Sequence, residues 1–129
     1  MKDYPKDLKI VFKQQPLPFH KDARPAAKAS LAAAKQGKFW EYHDVLFENM
    51  KKLKPENLEE YAKGLKLNMK KFKKALDDGT YKAQVDADLK LGGEVNVSGT
   101  PTMFLNGKRV ANATAFAAIA KDIDAALAN

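Results

Sequence analysis

An α/β fold is predicted for this chain: one strand, five helices, a β-hairpin and a final helix. Three observations predict it. A β-branched and aromatic run, Asp7–Phe12, stands just before a pair of prolines. Between residues 22 and 92, apolar residues recur at helical spacing and are punctuated by glycine, proline and asparagine. Near the C-terminus, Asn106-Gly107 separates two β-prone runs, the strongest short hairpin signal in the chain.

Taken in order, the Asp7–Phe12 strand ends where Pro16 and Pro18 block both ladder and helix. Asp22 to Gln36 is alanine-rich and helical, with Pro25 in the tolerated first turn and Gly37 as the stop. Lys38–Met50 is the second helix. Phe39, Tyr42, Leu46 and Asn49 share one side of it, and Trp40, His43 and Phe47 share another, so it should be packed on two sides. Pro55 opens a third helix with Leu58, Tyr61 and Ala62 inward and Gly64 as its cap. Asn68 caps a fourth, whose Met69, Phe72 and Leu76 stripe faces inward while Lys70, Lys71, Lys73 and Lys74 face water. Thr80 caps a longer fifth helix carrying Tyr81, Val85 and Leu89, which should stop at Gly92-Gly93. Thr102–Leu105 and Lys108–Ala111 flank the Asn-Gly turn. Ala113–Ala128 is the last helix, with Phe116, Ile119, Ile123 and Leu127 along one face.

With 129 residues the chain is expected to form a single domain over residues 1–129, its helical lobe covering about 22–92. An apolar content of 45% is enough for a packed core and argues against wholesale disorder. No apolar run approaches the roughly 20 residues of a membrane span, so membrane insertion is not expected. The start, Met1-Lys2-Asp3-Tyr4-Pro5, lacks the apolar stretch of an export signal. The net charge of +7 comes mostly from lysine, with Arg24 and Arg109 the only arginines. Phosphate and base readout favour arginine's planar fork, so a solvated surface is expected rather than a nucleic-acid partner. The absence of cysteine excludes disulfides, thiolate catalysis and thiolate metal sites within this polypeptide.

Three segments carry a family resemblance. They are Phe12-Lys13-Gln14-Gln15-Pro16-Leu17-Pro18-Phe19-His20, the stretch from Gln36-Gly37-Lys38-Phe39-Trp40 through Phe47, and Val97-Ser98-Gly99-Thr100-Pro101 through Val110. In that order they resemble the DsbA-type thiol–disulfide oxidoreductases of the thioredoxin superfamily. The resemblance implies a thioredoxin-like fold with an inserted helical lobe. It is an incomplete one, because family members begin with a strand, a Cys-x-x-Cys motif and a helix, whereas this chain opens at a stretch like the end of that helix. It also implies a cis peptide before Pro101, with Gly99, Thr100 and Pro101 forming the edge that pairs with an extended or unfolded polypeptide, and Trp40 lining the groove. Activity in the periplasm or cell envelope is the family's habit. A truncated, redox-inactive portion of such an oxidoreductase or disulfide isomerase is therefore expected, without catalytic residue or cofactor. The alternative is a naturally cysteine-free polypeptide-binding or chaperone-like module. A sheet lacking its central strand should expose two edges, so self-association or a domain swap is expected as well.

Other candidates carry ordinary structural explanations. His20 and His43 are the only imidazoles and lie in no metal-ligand spacing. His43 beside Asp44 could be read as a base and its orienter, but a packed helix residue is the simpler reading. At least two of Phe39, Trp40 and Phe47 should belong to the core. Ser30 and Ser98 sit in no hydrolase motif. Gly92-Gly93 follows a helix, where a phosphate loop would require a strand.

Overall fold

The computed structural model describes residues 2–129. Its elements are α1 (Ala23–Lys35), α2 (Phe39–Glu48), α3 (Pro55–Gly64), α4 (Met69–Asp77), α5 (Thr80–Glu94), β1 (Phe104–Leu105), β2 (Lys108–Arg109) and α6 (Phe116–Leu127). They divide into two compact units: Gln14–Val95, and the residues up to Lys13 together with Asn96–Asn129.

In the Gln14–Val95 unit, α1 is the central element and packs against α2, α3, α4 and α5. Its composition explains this. Ala26, Ala27, Ala29, Ala32 and Ala33 are all buried, and side chains that small let neighbouring helices approach closely. Tyr42, Leu58, Phe72 and Val85, one from each of the other helices, are the large side chains fully buried around it. Met69 and Leu76 pack against the same cluster, while Lys70, Lys71, Lys73 and Lys74 are exposed, as the stripe on α4 predicts.

The helix ends follow local chemistry. Gly37 takes a left-handed φ of +75°, and the Gly37 and Lys38 amides donate to Ala34 O and Ala33 O, a Schellman closure of α1. Asn68 caps α4 by accepting from the Lys71 amide at 3.0 Å. Two expectations are corrected. Gly64 is the last residue of α3 and not its left-handed cap; Lys66 takes that conformation (φ +59°), while the Leu67 amide donates to Ala62 O. Thr80 lies inside α5, Gly79 holds the N-cap position, and the helix runs past Gly92-Gly93 to Glu94. Gly92 serves packing there: a Cβ added to it would collide with Gln15 Oε1.

A third correction concerns α2. Only Tyr42 is buried in that helix, and Trp40 and Phe47 remain 45% and 57% exposed. One side of α2 meets the core and the other does not, so the expected core role for two of Phe39, Trp40 and Phe47 is not realised.

In the other unit, β1 and β2 pair antiparallel with Phe104 opposite Arg109 and Leu105 opposite Lys108. Asn106 and Gly107 both have positive φ (+46° and +80°), as a type I′ turn requires. The strands are two residues each, shorter than the sequence suggests, with one further bond from the Val110 amide to Met103 O. The run at 7–12 forms no ladder, which corrects the expected strand. A strand exists only when paired, and β1 with β2 is the one pairing among the described residues. On α6 only Ile123 is buried, and Phe116 stays 65% exposed although it lies on the apolar face. Tyr4 ties the start of this unit to α6, its hydroxyl donating to Asp124 Oδ1 at 2.7 Å.

Candidate functional site

The loop at Gly99–Pro101 precedes β1 directly. The peptide between Thr100 and Pro101 is cis. Thr102 Oγ1 donates to Gly99 O at 2.7 Å and folds the loop back on itself. Thr100 and Pro101 are exposed and Gly99 half-buried. Among the described residues no hydrogen bond engages the Thr100 amide or the Thr100 and Pro101 carbonyls, so this backbone is open to an extended partner. Its surroundings within the unit are apolar and exposed: Met103 and Phe104 follow it, and the Arg109 guanidinium lies over the Phe104 ring at 5.0 Å. Arg109 also donates to Asn96 O at 2.8 Å, holding β2 to the segment that leads into the loop.

Trp40, the fourth predicted site residue, belongs to the helical unit. It stands in an aromatic row on the open side of α2, with ring centroids 5.0 Å from Phe39 and 5.2 Å from His43. His43 in turn lies 4.6 Å from Phe47. The spacing of residues 39, 40, 43 and 47 places all four on one helix face. His43 Nδ1 sits 2.9 Å from Asp44 Oδ1, and Asp44 is largely in water. A base needs a substrate-facing proton acceptor in a shaped pocket, and this imidazole is instead edged by three aromatic rings. His20 lies against Phe19 at the surface. No group of three or more metal-ligating side chains occurs among the described residues.

A buried polar group was missed by sequence reasoning. Asp88, on α5, accepts from the Gln14 amide at 2.9 Å, and Gln14 Nε2 donates to Ser30 Oγ at 2.8 Å. Ser30 donates onward to Ala27 O, so its hydroxyl is committed to structure and not available as a nucleophile. All three side chains are buried. Asp88 falls within the helical repeat of α5, where an acidic residue ordinarily faces water, so nothing local distinguishes it. Near it, Asp86 accepts from Lys82 at 2.7 Å and pairs with Arg24; the lysine hydrogen bond and the two cations hold its carboxyl below the ordinary value.

Known proteins extend these observations. The family model of the DSBA-like thioredoxin domain matches residues 2–124. The chain is 39% identical over 103 residues to a protein of Salinispora tropica named Na(+)/H(+) antiporter NhaA 3, covering 79% of this chain and 16% of that protein. A Herminiimonas arsenicoxydans protein named Na(+)/H(+) antiporter NhaA is 36% identical over 104 residues, again 16% of its length. Disulfide bond formation protein D of Bacillus subtilis is 34% identical over 103 residues, covering 73% of this chain and 46% of that protein. The chain thus spans less than half the length of each of these relatives. With the profile match running almost end to end, the chain belongs to the family of DSBA-like thioredoxin domains.

Proposed function

We propose that this chain is the polypeptide-aligning part of a DsbA-like thiol–disulfide oxidoreductase or disulfide isomerase. An extended segment of client chain lies along the backbone of Gly99, Thr100 and Pro101. The observation that supports this is the open backbone of that loop at the entry to β1, with exposed Met103 and Phe104 beside it to receive client side chains. The chain has no cysteine, so it forms no mixed disulfide, and exchange requires a thiolate from outside these 129 residues. Family membership supports work in the periplasm or cell envelope, which fractionation of cells expressing the native gene checks.

Titrating the labelled chain with an unfolded, cysteine-blocked client should move the backbone resonances of residues 99–104, with no insulin reduction at any concentration. Resonance changes confined to other segments would overturn the reading.

A second reading is a chaperone-like module, supported by Ile10, Val11 and Phe12, consecutive exposed apolar residues in the same unit. Those residues also offer a surface for a second copy of the chain. Suppression of client aggregation that is lost in I10S/V11S but unaffected by blocking residues 99–104 would favour that reading.

A further inference from the structure

The helical unit holds a cleft of about 480 Å³ between α1, α4 and the start of α5. That is the size of a ligand pocket. Lys35 from α1 and Lys71 and Lys74 from α4 stand around it. Lys38 pairs with Glu41, Lys73 with Glu59 and Lys82 with Asp86, whereas these three have no carboxylate partner among the described residues. Residues 71 and 74 are three apart on one helix face, and the packing of α1 on α4 brings Lys35 to the same cleft.

The walls are braced. The Asn68 amide donates to Gln36 Oε1 at 2.8 Å, and Gln36 Nε2 returns a bond to Asn68 O at 3.2 Å, fixing the end of α1 to the start of α4. Ala75 and Tyr81 supply an apolar floor. Three unneutralised ammonium groups beside an apolar floor are complementary to an anionic ligand with an apolar part.

We propose that this cleft binds a carboxylate-rich peptide segment, its acidic side chains on Lys35, Lys71 and Lys74 and one apolar side chain on the floor. A nucleic acid is disfavoured because the cleft's cations are all lysines, without the arginine fork that phosphate and base readout favour. A membrane surface is disfavoured because the large apolar residues of α4, Met69, Phe72 and Leu76, face the core and leave nothing to insert. Asp78, also on the rim, repels acidic groups and sets which end of the peptide carries them. The inference is independent of the Gly99–Pro101 loop.

The test is fluorescence anisotropy of the full chain with a labelled octapeptide of glutamates around one leucine, at low and high salt. Saturable binding is expected, falling steeply as salt rises. Substituting all three cleft lysines (K35Q, K71Q and K74Q together) should weaken it about tenfold, as three exposed ion pairs would. Removing the same number of exposed charges elsewhere on the unit (K51Q, K63Q and K70Q together) should change it less than about threefold. Equal loss in the two triple variants, or no saturable binding, overturns the proposal. So does tighter binding of a single-stranded oligonucleotide or of anionic phospholipid vesicles with the same dependence on the cleft lysines.

Discussion

Tyr42, Leu58, Phe72 and Val85 are fully buried in the Gln14–Val95 unit, around an alanine-lined α1. In the other unit, Val110 and Ile123 are the hydrophobic side chains buried among the described residues, while Ile10, Val11, Phe12, Met103, Phe104, Phe116 and Leu127 remain exposed. Apolar residues are present in both. What differs is how each kind of element satisfies its backbone. A helix closes its hydrogen bonds internally and needs only a neighbour for its stripe, so contiguous amphipathic helices can assemble a core locally. A strand closes nothing alone, and among the described residues the 7–12 run joins no ladder, so its side chains have no sheet face to belong to.

The largest expected effect tests whether stability resides in the helical unit. Phe72→Ala should cost about 3–5 kcal/mol in denaturant unfolding, the range for emptying a fully buried aromatic site. A loss below about 1 kcal/mol would break the comparison.

Next is the buried carboxylate. Asp88→Ala should cost about 1–3 kcal/mol, because it strands the buried Gln14 amide without an acceptor. Hydrogen exchange at that amide should accelerate in the variant, and Asp88→Asn, which keeps an acceptor oxygen, should lose less.

Alkaline titration sharpens the same contrast. Burial pushes the Tyr42 hydroxyl well above its ordinary value of 10.0, and the group donates to Leu58 O at 2.8 Å. Its contribution is fully present below pH 10 and is lost as pH rises toward the folded value, because the unfolded chain ionises first. Unfolding midpoints should therefore fall above that pH. Tyr42→Phe should reduce the slope, with a residue left by Tyr61 and Tyr81, which burial shifts the same way.

Lys66→Gly should stabilise the chain by about 1 kcal/mol, since a side chain is strained at a φ of +59° and glycine is not. A destabilisation would mean that the end of α3 depends on the lysine side chain. The smallest thermodynamic effect belongs to the open segment: I10S/V11S should alter folding stability by less than about 0.5 kcal/mol, as those side chains are already in water. Light scattering of the same variant should show less self-association than the parent chain. A large loss of stability there would show that the segment is packed in solution.

Much of the helical unit was legible in the chain. The α4 stripe of Met69, Phe72 and Leu76, the Asn68 cap, the Gly37 stop and the Asn106-Gly107 turn each rest on residues within about two helical turns of one another in the chain. The candidate loop was legible as a motif, Gly99-Thr100-Pro101 before a β-prone run, although what binds there was not. The misreadings share a cause. The expectation that at least two of Phe39, Trp40 and Phe47 are core fails because helical spacing shows which residues share a face and cannot show whether anything covers that face. Lys66 was missed as a cap because a lysine in the left-handed region has no sequence signature, and Gly64 two residues earlier has one.

Helix positions, the hairpin turn and the impossibility of thiol chemistry were determined by the amino-acid sequence alone, since each depends on local backbone preference or on composition. Burial of Asp88, Ser30 and Gln14 together, convergence of Lys35 with Lys71 and Lys74, and the failure of residues 7–12 to join a sheet were decided by tertiary structure. Each joins, or fails to join, residues far apart in the chain, and no propensity or periodicity carries that information.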